Sequence, residues 1–143
     1  MNIVVVYDSV FGNTEKIAEA IADELDASLV NVNQSKRVDI EKVDYLIIGS
    51  PTHGGSSTDE TQKFINSIRR IDGKKFATFD TRSKMKWVKI FGFAAERMDA
   101  ALRAKGGISV GSPIGFYVNK KQGPLLDPEI DRAQTWANEI INS

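Results

Sequence analysis

Asn2-Ile3-Val4-Val5-Val6-Tyr7-Asp8-Ser9-Val10-Phe11-Gly12-Asn13-Thr14, with Ile17, Ala18, Ala20, Ile21 and Leu25 following at helical spacing, decides the fold of this chain. Residues 2–7 are β-formers, nearly continuous in apolar character, as a strand covered on both faces of a parallel sheet should be. Residues 8–14 are a short polar turn, and the periodic run up to Asp26 is an amphipathic helix. Strand, hydroxyl-bearing turn and helix together place free backbone N–H groups and a positive helix-dipole end beside Ser9, Asn13 and Thr14. That arrangement suits a phosphate. An ordinary βα turn with a capped helix uses the same residue types.

Working outward, Ser28–Val32 reads as a second strand, 33–37 as polar loop and 38–43 as a single helical turn. Asp44–Gly49 is a third apolar strand. It opens into Ser50-Pro51-Thr52-His53-Gly54-Gly55-Ser56, whose glycine, proline and hydroxyl content is that of an irregular loop. Ser57 and Glu60 have capping-box spacing for a helix running to about Arg70. Lys75–Phe79 is a fourth strand, ending at a loop that begins Asp80-Thr81-Arg82. Trp87, Phe91, Ala94, Met98 and Leu102 recur at helical spacing, and Gly106 stops that helix. Residues 108–110 and 115–118 form a fifth strand interrupted at Gly111-Ser112-Pro113. The last helix starts with Asp127 as N-cap and Pro128 in the first turn. Ile130, Ala133, Trp136, Ala137, Ile140 and Ile141 supply its buried face.

Strands alternating with helices predict an α/β domain with an open parallel sheet covered on both sides. The 143 residues are expected to form one domain, 1–143. Lys plus Arg and Asp plus Glu number 19 each, so no global field favours nucleic acid or a membrane surface. The absence of cysteine excludes disulfides, thiolate chemistry and cysteine-held metals. The opening apolar run stops at Asp8, too short for a signal peptide or a membrane span, and a cytoplasmic protein is expected.

The first stretch also carries a resemblance. Val5, Val6, Tyr7, Ser9, Gly12, Thr14, Ala18 and Ile21 fill every fixed position of the pattern around the FMN-phosphate loop of flavodoxins. The resemblance implies a flavodoxin-like three-layer sandwich with a five-stranded parallel sheet in the order 2-1-3-4-5. Its ligand lies beyond the carboxyl ends of the strands, at the switch point between strands 1 and 3. It implies FMN as cofactor, with Ser9, Val10, Phe11, Gly12, Asn13 and Thr14 around the phosphate. Pro51, Thr52, His53, Gly54 and Gly55 occupy the family's flavin-contacting loop, with Asp80, Thr81, Arg82 and Trp87 in the third loop.

Each assignment has an alternative in the residues themselves. His53 is the only ring in the second loop, and a lone loop histidine is commonly a solvated side chain. No second histidine exists to build a metal site. Gly54 and Gly55 serve as turn formers, or as the place where a peptide reorients when flavin N5 gains a proton, as the resemblance implies. Trp87 is in helical phase with Phe91, which suits a core residue as well as a ring closing over flavin. Arg82, Lys84, Lys86 and Lys89 form a basic rim, a solvated face with respect to flavin and a docking surface for partner proteins.

No G-x-G-x-x-G or G-x-x-x-x-G-K-[ST] motif is present. The third strand ends at Gly49-Ser50, without the aspartate a phosphoacceptor domain needs, and His53 has no triad partners. The long form of the family inserts a segment into strand 5, and nothing of that length is present. The resemblance therefore implies a short-chain flavodoxin, a monomer moving single electrons between redox partner proteins through FMN. It would have no catalytic residues of its own. Two alternatives on the same fold are an FMN-dependent NAD(P)H/quinone or protoporphyrinogen oxidoreductase and a non-catalytic binding scaffold.

Overall fold

The computed structural model describes residues 1–84, 92–120 and 122–143. Its elements follow in the order β1 (Ile3–Tyr7), α1 (Asn13–Leu25), β2 (Ser28–Asn31), β3 (Tyr45–Pro51), α2 (Asp59–Ser67), β4 (Lys75–Ser83), α3 (Ala94–Ala104), β5 (Ile108–Ser109), β6 (Ile114–Val118) and α4 (Glu129–Ile141). Two 3-10 turns, Val32–Arg37 and Ile40–Lys42, lead from β2 into β3. All strands pair in parallel, in the order β2-β1-β3-β4-β5, and β6 pairs with β4 beyond β5. The expected order 2-1-3-4-5 is therefore the observed one. The fifth strand is split by residues 110–113 into β5, paired with Lys75 and Phe76, and β6, paired with residues 79–83.

Alternation along the strands divides the core in two. Val5, Tyr45, Ile47, Ala77 and Phe79 face α1 and α4, meeting Ile17, Ile21, Trp136 and Ile140. Val4, Val6, Leu46, Ile48 and Phe76 face α2 and α3, meeting Phe64, Ile65, Met98 and Leu102. Phe79, Phe116 and Trp136 close the first layer as three edge-on contacts, with centroids 6.0, 6.0 and 6.2 Å apart. Gly49 makes that packing possible, because a Cβ there would lie 2.0 Å from the Phe79 ring.

Several boundaries differ from expectation for local reasons. The N-cap of α2 is Thr58, not Ser57: its hydroxyl accepts from Thr61 N and donates to Asp8 Oδ2 at 2.6 Å. That helix ends at Ser67, short of Arg70. α4 starts one residue late, with Pro128 at the cap position and no side-chain cap. Within it Ile130 is exposed, whereas Glu129 is buried. The Glu129 carboxylate accepts from Tyr117 N and Arg132 at 2.7 and 2.6 Å, and Arg132 donates to Gly115 O. These bonds cover backbone groups on the edge strand β6, which would otherwise offer a template to another chain. α3 starts at Ala94, and the Trp87 and Phe91 positions of the expected helix lie outside the described residues.

Candidate functional site

At the carboxyl end of β1, α1 begins behind Gly12, an N-cap residue with no side chain of its own to bond the helix start. Gly12 lies at φ 89°, and a Cβ there would meet nothing within 4 Å. The first helical bond runs from Lys16 N to Gly12 O. The N–H groups of Asn13 and Thr14 thus have no intrahelical acceptor. Ser9 Oγ accepts from Gly12 N at 3.1 Å and Glu15 N at 3.3 Å, folding the loop over the helix end. Thr14 is buried and its hydroxyl lies 2.8 Å from that of Thr81, tying the loop to β4. Val10 and Phe11 project outward, 53% and 43% exposed. The Asn13 side chain faces the other way, donating to Gln122 O.

The second loop stands beside it at the end of β3. Pro51 is the last strand residue and is buried. Thr52 N donates to Thr81 O at 3.0 Å, and the Thr52 hydroxyl accepts from Ala94 N, the first residue of α3. His53 and Ser56 exchange both backbone bonds, at 2.8 and 3.0 Å, across Gly54 at φ 57° and Gly55 at φ 83°. Two central residues with positive φ make the tight turn in which glycine carries no steric penalty. His53 is half-buried.

The third group is corrected in kind. Asp80, Thr81 and Arg82 are not loop but part of β4, which continues to Ser83. Asp80 is fully buried and paired with Arg82 through two bonds of 2.7 and 2.8 Å. It also accepts from Ala95 N, so Thr52, just after β3, and Asp80 of β4 jointly hold the N-terminus of α3. Burial pushes the Asp80 carboxyl up from the ordinary carboxylate range, against the opposing pull of the Arg82 guanidinium. The Arg82 side chain is only 10% exposed, lies 3.6 Å from the Phe93 ring centroid and reaches Glu96 at 3.4 Å. Arg82 is therefore a buried ion-pair member rather than part of an exposed rim. Lys84 is exposed, while Lys86, Lys89 and Trp87 fall outside the described residues.

The fold brings the first loop, the second loop and Thr81 to one edge of the sheet, at the point where strand order reverses between β1 and β3. An open parallel sheet with a glycine-led helix at its switch point has the architecture of doubly wound α/β domains, in which ligands bind outside the carboxyl ends of the strands. Sequence reasoning missed the Asp8–Thr58 link and the Asn13–Gln122 contact, which join residues 50 and 109 positions apart. Only the polar residue types themselves hinted at either.

Comparison with known proteins narrows the class. A family model described as "Flavodoxin domain" matches residues 4–106. A flavodoxin of Nostoc sp. (strain PCC 7120) is 30% identical over 156 residues, covering 94% of this chain and 92% of that protein. An uncharacterized protein of Methanocaldococcus jannaschii is 35% identical over 77 residues, about half of either chain (53% and 51%). Oxidised flavodoxin 2 of Bacillus cereus superposes with a TM-score of 0.82 at 22% identity, covering 99% of each chain. Flavodoxin 1 of the same organism gives 0.80 at 21%, covering 99% and 98%. The chain belongs to the flavodoxin family. Its cofactor is accordingly FMN, and its chemistry is electron transfer. The Asn13 and Thr14 N–H groups without an intrahelical acceptor and the neutral Ser9 hydroxyl beside them fit an FMN phosphate group. No helix among the described residues is long and apolar enough to cross a membrane.

Proposed function

We propose that this chain is a short-chain flavodoxin, a monomeric cytoplasmic carrier that takes single electrons from one redox protein and delivers them to another. The observation that carries the reading is the start of α1 behind Gly12, where the Asn13 and Thr14 N–H groups have no intrahelical acceptor, set beside the His53–Ser56 turn at the β1/β3 switch point. FMN supplies one-electron chemistry when bound. Ser9 Oγ and the N–H groups of Asn13 and Thr14 hold its phosphate, while Thr52, His53, Gly54 and Gly55 border the ring. Thr81 supports Thr14 from below. Val10 and Phe11 are exposed apolar side chains of the phosphate loop. With Lys84, they are the described groups best placed for a partner protein to touch. The Asp80–Arg82 pair supports β4 and α3 and leaves the ring edge to the second loop.

The deciding experiment reconstitutes the protein with FMN, reduces it anaerobically and mixes it with an oxidised haem protein in a stopped-flow instrument. Second-order electron delivery, with no NADH or NADPH consumed in the presence of a quinone, supports the carrier. Catalytic turnover of NADH or NADPH with a quinone would make the protein an oxidoreductase on the same fold.

A further inference from the structure

The cradle at the start of α1 is held from two sides. Thr14 is fixed from below by its hydroxyl contact with Thr81 of β4. Its neighbour Asn13 is fixed from a quite different part of the chain. The Asn13 side chain is 7% exposed, and its Nδ2 donates to the carbonyl of Gln122 at 2.9 Å. Gln122 lies in the connection between β6 and α4. That connection is anchored to the sheet: Asn119 N donates to Pro124 O at 2.8 Å, and Leu126 N donates to Tyr117 O at 3.0 Å. The contact has little room to spare. Gly123 has φ +95°, and a Cβ on it would lie 2.5 Å from Asn13 Nδ2 and 2.7 Å from Oδ1. Asn13 thus contributes its backbone N–H to the cradle and its side chain to a tether.

We propose that the β6–α4 connection acts as a clamp on the phosphate cradle, with Asn13 and Gly123 as positioning residues that set the cradle for a phosphate monoester. This rests on the phosphate of FMN lying at the start of α1. A helix end offers donors to any anion, but a first turn held in one position against the loop of residues 8–12 suits one of defined size. The two anchors, one on β4 and one on the β6–α4 connection, hold the first turn of α1 in that position before the ligand arrives. Pre-organisation of this kind appears as affinity, because the ligand does not have to order the loop. It acts on the phosphate and not on the ring.

Riboflavin, which lacks the phosphate, separates the two. Apoprotein of the wild type, Asn13→Ala and Gly123→Ala is titrated with FMN and with riboflavin by fluorescence quenching. Wild type is expected to prefer FMN. Each variant is expected to lose about tenfold or more in FMN affinity, comparable to one charge-assisted hydrogen bond, with riboflavin changed by less than about twofold. In the wild type, amide exchange at residues 122–126 should slow on adding FMN and not on adding riboflavin. If both ligands weaken together, or if the FMN preference survives both substitutions, the clamp is overturned while the phosphate assignment stands. A wild type that binds FMN no better than riboflavin overturns the phosphate assignment itself. Should Gly123→Ala fail to fold, Asn13→Ala decides alone, because it removes the tether without a steric clash.

Discussion

Ser9 has two duties in one hydroxyl. It accepts from Gly12 N and Glu15 N, and in the proposed reading it also donates to the phosphate. On that reading Ser9→Ala removes a bond to a dianion and loosens the loop. A charged hydrogen bond is worth about 1.5–3 kcal/mol, so FMN affinity should fall about ten- to a hundredfold by fluorescence titration. The glycines of the second loop act through backbone instead. Valine at Gly54 or Gly55 must enter a positive-φ conformation at a cost of about 1–3 kcal/mol. If that turn reorients with flavin reduction, the cost falls on one redox state. At least one of the two one-electron midpoint potentials then moves by roughly 40–130 mV in spectroelectrochemistry. Unchanged potentials in both variants would remove any redox role from the turn. Tyr45 shows the same physics in the core. Its hydroxyl donates to Ile140 O, and burial pushes its pKa up from 10.0 to about 12. The unfolded chain therefore loses this proton first as pH rises. Stability is intact below pH 10, declines from pH 10 to about 12, and the Tyr45→Phe variant should lack this part of the alkaline decline in urea melts.

Among elements, β4 separates what the sequence discloses from what it hides. Its apolar half, Lys75–Phe79, is legible from hydrophobicity, but the strand runs four residues further through Asp80, Thr81, Arg82 and Ser83. Those side chains are polar, so periodicity ends the strand early. They are nonetheless tolerated inside because each is partnered: Asp80 with Arg82 and Ala95 N, Thr81 with Thr14. The Ser57/Thr58 cap is a similar case. Both residues are competent caps, and the choice is made by Asp8, a neighbour only in the folded molecule. The strand–turn–helix order of the first loop, in contrast, was legible, since its three parts are contiguous in sequence. Gly115 tests the reading of β4. It lies beside Asp80 in the register, and a Cβ on it would fall 1.9 Å from Arg82 Nε. Gly115→Ala should displace the guanidinium from its buried carboxylate and cost about 1–3 kcal/mol in denaturant melts. Adding Arg82→Met to this variant should leave a smaller increment than either change makes alone, because both act on one contact.

At the scale of the whole molecule, right-handed parallel crossovers leave few arrangements for alternating strands and helices, and the resemblance to flavodoxins selected the order 2-1-3-4-5 among them. Long-range fastenings such as Asn13 to Gln122 were not legible, since nothing in local pattern says which loop meets which. Charge is the other global property, and it bears on how the carrier finds its partners. Acidic and basic residues balance at 19 each. Within β4 the buried Asp80–Arg82 pair is internally neutralised, and Lys84, just beyond the strand, is exposed. Long-range steering scales with net charge and local patches, and a balanced molecule has little of the former. Between 0.01 and 1 M salt the screening length falls from about 30 to about 3 Å. Over that range, the second-order rate of electron delivery to a basic haem protein should change by less than about threefold, in contrast to the steep fall of strongly steered pairs. Lys84→Glu should leave the rate at 1 M salt unaltered and raise it at 0.01 M, because the added attraction is screened away in the first case. A wild-type rate that falls steeply with salt would instead reveal a local acidic patch at the docking face strong enough to outweigh the balanced total.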